Sequence, residues 1–172
     1  MDYATFPPVI VMGVSGSGKS TIGEALASAL GRPFIDGDDL HPSANKEKMR
    51  QGHPLNDEDR APWLEIIADR IGADMAEGEP IVVACSSLKR KYRDVLVSHA
   101  PSTVFLHLTG VRELILLRQA GRDHEYMPSS LLDSQYATLE ALQTGERFVE
   151  IDVNQTPDEI VSAALERLAD FQ

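Results

Sequence analysis

The chain has 172 residues, 42% of them apolar, and a formal charge of -11, the size and composition of one ordinary globular domain with a buried core. The acidic balance excludes broad binding to nucleic acid or to an anionic membrane surface, because both require a positive field, so an anionic ligand must be drawn by a local basic cluster. A single cysteine, Cys85, excludes an intramolecular disulfide framework, and no apolar run is long enough to span a bilayer.

Residues 1–8 lack the basic and long apolar regions of a secretory leader, which predicts a cytoplasmic protein. Pro7-Pro8 leads into Val9-Ile10-Val11-Met12, a short apolar run that predicts a strand covered on both faces. Gly13-Val14-Ser15-Gly16-Ser17-Gly18-Lys19-Ser20-Thr21 follows. Beyond it Ile22, Ala25, Leu26, Ala29 and Leu30 fall on one helical face, and Gly31 with Pro33 ends the helix. A G-x-x-x-x-G-K-[ST] string between a strand and a helix is a phosphate-binding loop. Its glycines let the backbone wrap an anion, and the N–H groups and dipole of the helix start attract phosphate. Lys19 is expected to reach the outer phosphates, and the Ser20 hydroxyl to bind Mg²⁺.

Phe34-Ile35 predicts a second strand running into Asp36-Gly37-Asp38-Asp39-Leu40-His41-Pro42. Its three carboxylates are costly to crowd at a strand's C-terminal end unless a cation or a reaction uses them; the plain alternative is a solvated turn that caps the next helix. Ligands of open α/β sheets bind at that edge. Residues from about 41 to 78 predict an inserted helical pair. Ser43 is expected to cap a short helix through Met49, with Gly52 closing it. A second helix begins between Asp57 and Pro62, carries Trp63, Leu64, Ile67, Ile71 and Met75 on its apolar stripe, and ends at Gly78. Packing does not explain the polar group Asp57, Asp59 and Arg60 just before Trp63.

Ile81-Val82-Val83-Ala84 predicts a third strand. It ends in Cys85-Ser86-Ser87-Leu88-Lys89-Arg90-Lys91-Tyr92-Arg93, the densest positive cluster of an acidic chain. Cys85 reads as a small buried residue. The basic run reads as contact for a substrate anion, against the alternative of a solvated helix face. Val104-Phe105-Leu106-His107-Leu108 is a fourth strand, and a helix follows from Val111 to Ala120. Arg118 and Arg122 stand four apart and lead into a charged, Gly- and Pro-bounded stretch, about 121–129, that reads as a lid; the two arginines suit a clamp on transferring phosphates. Residues 129–142 predict a helix and Phe148-Val149-Glu150-Ile151-Asp152 a fifth strand. Thr156-Pro157-Asp158-Glu159 combines a capping box with Pro at the first helical position. The alternation predicts an α/β fold: a five-stranded parallel sheet with helices on both faces. Every candidate site residue falls at the strands' C-terminal ends, the arrangement of a phosphoryl-transfer enzyme.

In these residues the chain resembles the gluconate kinases (gluconokinases) of the P-loop small-molecule kinase group. The resemblance rests on the phosphate loop, on Gly37-Asp38-Asp39-Leu40-His41-Pro42, on Asn45, Lys46 and Met49, and on Asp57, Asp59-Arg60 and Pro62-Trp63-Leu64. It continues through Ala84-Cys85-Ser86-Ser87-Leu88-Lys89, Tyr92-Arg93, His124, Met127-Pro128 and Ser134-Gln135. It implies ATP-dependent phosphorylation of D-gluconate to 6-phosphogluconate with Mg²⁺, in a homodimer. The expected mechanism places ATP on Gly13, Val14, Ser15, Gly16, Ser17, Gly18, Lys19, Ser20 and Thr21 with Arg118 and Arg122, and Mg²⁺ on Ser20 and Asp36. Asp38 is expected to be the base, with Asp36 the alternative, and Lys19 and Arg122 assist transfer. His41, Arg60, Lys89 and Arg93 are the candidates for holding the sugar acid. A sister kinase acting on shikimate, and a nucleotide sensor without turnover, are the alternatives.

Overall fold

The computed structural model describes residues 3–120 and 129–172. Residues 121–128, on which the expected lid at about 121–129 falls with Arg122, His124, Met127 and Pro128, lie outside the described residues.

Five strands form the sheet: β1 (Val9–Met12), β2 (Phe34–Asp36), β3 (Val82–Ala84), β4 (Val104–Thr109) and β5 (Phe148–Asp152). Their order is β2-β3-β1-β4-β5, and every pairing is parallel. β1 therefore lies mid-sheet, and all four of its side chains are buried. Val9 and Val11 point to one face, where they meet Ile22 and Leu26 of α1 (Lys19–Leu30) and Ile160 and Ala164 of α7 (Pro157–Leu168). Ile10 and Met12 point to the other, against Trp63, Ile67 and Ile71 of α3 (Asp57–Ala76) and Leu96 of α4 (Arg90–Leu96). Strand alternation thus feeds two separate cores from one apolar run. The remaining helices are α2 (Ser43–Arg50), α5 (Arg112–Ala120) and α6 (Ser129–Thr138). Among the described residues no helix is long and apolar enough to cross a membrane.

Several local expectations are corrected. α1 buries Gly23 and Ala27 where Ala25 and Ala29 were expected, since a Cβ on Gly23 would stand 2.5 Å from the Phe34 ring. Ser43 does not cap α2 but is its first residue; Pro42 precedes it, and the Pro42 carbonyl accepts from the N–H groups of Asn45 and Lys46. Asn56 caps α3 through a reciprocal box: the Asp59 N–H donates to Asn56 Oδ1 at 2.8 Å, and the Asn56 N–H to Asp59 Oδ2 at 2.9 Å. Met75, expected on the core stripe, is exposed. α6 stops at Thr138, short of Leu142, because the chain leaves the helix to close the start of α4. There the Glu140 N–H donates to the Leu88 carbonyl at 2.8 Å, and the Arg90 N–H to Glu140 Oε1 at 2.9 Å.

Arg93 is the largest correction. Its side chain is 1% exposed and pairs with Glu146, itself 5% exposed, at 2.7 Å. The rest of the guanidinium donates to the carbonyls of Ser87, Leu88 and Ala141. Arg93 thus fastens the loop after α6 to α4, and its donors are committed to protein groups, not to a substrate. Glu146→Ala would leave this guanidinium buried without its counter-charge. Thermal or urea unfolding is expected to show a loss of about 3–5 kcal/mol; a change below about 1 kcal/mol would mean that water reaches the pair.

Candidate active site

The phosphate loop bends out of β1 with Gly13 at φ 152°, Gly16 at φ 82° and Gly18 at φ 96°. A Cβ on Gly13 would lie 2.7 Å from Ser17 Oγ and 2.9 Å from the Leu108 carbonyl, so the loop is closed to any larger residue there. Lys19 opens α1 and donates from Nζ to the Val14 carbonyl at 3.1 Å. Ser20 Oγ donates to Asp36 Oδ2 at 2.7 Å, which joins the start of α1 to the end of β2. The other Asp36 oxygen accepts the Asp38 N–H at 3.0 Å and shapes the 3₁₀ turn Gly37–Leu40.

These elements open on a cavity of about 260 Å³. Its lining includes Gly16, Gly18, Lys19, Ser20, Asp36 and Asp38, with Ala84, Cys85 and Ser86 from the end of β3. Gly18 and Asp38, assigned to the nucleotide and to the acceptor hydroxyl, therefore share one space. Burial pushes the Cys85 thiol up to about 11, so at neutral pH it is a protonated wall residue.

Two residues of the loop's surroundings were missed from sequence. The Ser15 N–H donates to Gln135 Oε1, and Gln119 Nε2 donates to the Ser15 carbonyl at 3.0 Å. These amides come from α6 and α5, more than 100 residues away. Gln135 had appeared only within the family-like Ser-Gln pair, and no local pattern marks Gln119.

Arg118 lies elsewhere. It donates to the Val153 carbonyl and lines a second cavity of about 300 Å³, with Gly16, Ser17, Gly18 and Thr21 on one side and Ile22, Gln155, Pro157 and Ile160 on the other. That cavity shares Gly16 and Gly18 with the first, and Asp38 does not line it. The buried Ser17 hydroxyl has no hydrogen-bond partner among the described residues.

The sugar-acid candidates form a third group beside the acidic turn. The Trp63 indole donates to the Gly37 carbonyl at 2.7 Å and stacks on His41, with centroids 4.1 Å apart. Asn45 Nδ2 donates to His41 Nδ1 at 3.2 Å, which assigns the imidazole proton to Nε2. Arg60 Nη1 lies 3.4 Å from the Tyr92 hydroxyl and 3.7 Å from Asp57 Oδ1, and Lys89 Nζ lies 3.5 Å from the same Asp57 oxygen. None of His41, Arg60 and Lys89 lines the first cavity.

Burial, then the charges of Lys46 and Arg60, hold the His41 pKa below its usual 6.5. Buried His107, 3.0 Å from Glu150, is lowered too, with desolvation the main cause. Between the lowered folded values and about 6.5 the unfolded chain binds more protons, so stability rises with pH there and is lost on acidification. Melting temperature is expected to fall from pH 7.5 to 5.5, less steeply in His41→Gln; an equal slope in that variant would remove His41 as a contributor.

A parallel sheet whose central strand β1 feeds a phosphate loop, with an acidic turn at the end of β2, one strand beyond β3, lining the same cavity, defines a P-loop kinase of small molecules. The shikimate kinase family pattern matches residues 15–169. The chain is 49% identical over 146 residues to the thermosensitive gluconokinase of Escherichia coli K12, covering 84% of this chain and 78% of that one. It is 45% identical over 169 residues to a probable gluconokinase of Xenopus tropicalis, with coverage of 90% and 89%. The crystal structure of a gluconokinase from Sinorhizobium meliloti 1021 superposes with a TM-score of 0.86 at 48% identity, covering 95% and 92%. A shikimate kinase from Aquifex aeolicus, at 18% identity and TM-score 0.59, shares the fold. The chain belongs to the gluconokinase family, within the shikimate kinase group of P-loop kinases.

Proposed function

We propose that this protein transfers the γ-phosphoryl group of ATP to the 6-hydroxyl of D-gluconate, giving 6-phosphogluconate. The observation that carries the reading is the single cavity shared by Gly18, Lys19 and Asp38, in a chain that is close to gluconokinases along most of its length. Catalysis in such a site is chiefly positioning and charge neutralisation, and positioning alone is worth about 7–11 kcal/mol of barrier. The loop N–H groups and Lys19 hold the phosphates. Ser17, buried and without a hydrogen-bond partner among the described residues, supplies a hydroxyl that a phosphate oxygen would satisfy. The second cavity, apolar along Ile22, Pro157 and Ile160 and polar at Arg118 and Gln155, suits the nucleoside end. Ser20 Oγ and Asp36 Oδ2 present hard oxygens 2.7 Å apart beside the loop, a donor set that fits Mg²⁺. When bound, Mg²⁺ neutralises phosphate charge.

Asp38 takes the proton of the acceptor hydroxyl and aims its oxygen in line with the γ-phosphate. His41, through its Nε2–H, and Arg60 and Lys89 hold the hydroxyls and carboxylate of the acid; Arg122 closes over the transferring group. A cytoplasmic homodimer completes the reading, and light scattering tests the assembly.

A coupled ADP-release assay over gluconate, shikimate, AMP and adenylylsulfate decides the substrate. Turnover is expected with gluconate and to be lower by about 10⁴ or more with the others, since a site built to pair each hydroxyl is left with unpaired groups by an analogue lacking one. Turnover of shikimate with none of gluconate would overturn the reading.

A further inference from the structure

Tyr92 has no part in the transfer derived above, yet its surroundings are unusual for a chain of charge -11. Lys89 Nζ, the Arg60 guanidinium carbon and Lys91 Nζ lie 5.5, 5.8 and 5.9 Å from its ring centroid. Among the described residues all three cations pair with one carboxylate, Asp57, and with no other. One carboxylate at contact distance thus faces three cations, with Asp59 and Glu140 acting on Arg60 and Lys91 only from further off. Three like charges held together repel, and an exposed cluster of this kind relaxes into water unless something fixes it.

What fixes it is the junction of α3 with α4. The Tyr92 hydroxyl and Lys91 Nζ both donate to Asp57, whereas Lys89 and Arg60 stand at 3.5 and 3.7 Å from it. Those two hydrogen bonds hold the Asp57 carboxyl well below the usual carboxylate range. The short bonds go to Lys91 and Tyr92; the long ones leave Arg60 and Lys89 with donors for a further anion. Packing does not need the hydroxyl, because Ile67, Ile71 and Leu96 already fill the contact between the helices. Arg60 lies one turn before Trp63, whose indole holds Gly37 beside Asp38. α3 therefore sets the spacing between Arg60 and the base, and its junction with α4 brings Lys89 to the same carboxylate, as an extended acid with its charge at one end and its reacting hydroxyl at the other requires.

The geometry points to Tyr92 as a positioning residue: through Asp57 it holds Arg60 and Lys89 together as the receptor for the substrate's carboxylate, and so sets the preference for a sugar acid over the uncharged polyol of equal length. This rests on the gluconate reading above.

Tyr92→Phe keeps the ring and every charge. It is expected to raise the gluconate KM about tenfold, the worth of one charge-assisted hydrogen bond, with kcat within about twofold and the ATP KM unchanged. The inhibition constant of D-sorbitol should stay put, so that the preference for the acid over the polyol falls as the gluconate KM rises. Asp57→Asn is expected to raise the gluconate KM as well. Asp57 is open to water, so the attraction gained by removing its charge is screened, while the lost bonds release the cations. An unchanged gluconate KM in Tyr92→Phe, or an equal loss for sorbitol, overturns the inference. So does a lowered KM in Asp57→Asn, which would make Asp57 a competitor of the substrate, and so does a raised ATP KM together with a lowered melting temperature. If the wild type fails to turn over gluconate, the substrate reading falls by itself; calorimetry of gluconate and sorbitol binding then tests Tyr92, and an unaltered ratio of the two affinities in Tyr92→Phe overturns its role.

Discussion

Replacing Asp38 with Asn is expected to lower kcat on gluconate by about 10²–10⁴-fold, the range for removal of a general base, while the KM for ATP stays near the wild-type value. Asp38 stands at the C-terminal end of β2 in the cavity that also holds Gly18 and Lys19. The turn that carries it is fixed by three links independent of its own carboxylate: its backbone N–H to Asp36, the Gly37 carbonyl to Trp63, and the close packing of Gly37 on Ala84. Asparagine keeps the shape and loses the proton acceptor, so the loss should appear in kcat. Single-turnover measurements separate this from slow product release. Near-normal turnover in the variant would remove Asp38 as base and turn attention to Asp36.

Lys19→Ala should produce the other large effect: a fall of about 10²–10³-fold in kcat/KM for ATP, the usual consequence of deleting one donor from a preorganised anion site. Lys19 is the first residue of α1 and lines the cavity with Asp38. Both groups act electrostatically on the Cys85 thiol, which lines the same cavity. Calorimetry should register weakened ATP binding with the melting temperature little changed, because the backbone of the loop is shaped by its glycines and by Gln119 and Gln135. Unchanged affinity would contradict the role assigned to the lysine.

Much of the architecture was legible because its signals are local. Val9–Met12 and Phe148–Asp152 are strands over the residues expected, and Thr156 with Pro157 starts α7 as its capping pattern demands. Backbone propensity, turn chemistry and apolar period agree at those positions, so nothing distant needed to overrule them. Arg93 failed for the opposite reason. From sequence it is one more charge in a basic run, and its burial depends on Glu146, brought up by the segment that leaves α6 early. Met75 keeps helical spacing with Ile71, yet the core it would enter has ended by that turn of α3.

The string from Gly13 to Thr21, the acidic turn and the alternation of strands and helices pointed, without coordinates, to a phosphate-loop sequence and an acidic turn at one edge of a parallel sheet. Each of those signals is held within a few neighbouring residues by glycine geometry, carboxylate crowding or side-chain period. Tertiary structure alone decided that Gln119 and Gln135 brace Ser15, that Arg118 faces the second cavity, that Arg93 is internal, and that Tyr92 and Asp57 gather three cations. Those outcomes depend on which distant segment lies alongside, and no spacing along the chain encodes a meeting between residues 30 to more than 100 positions apart.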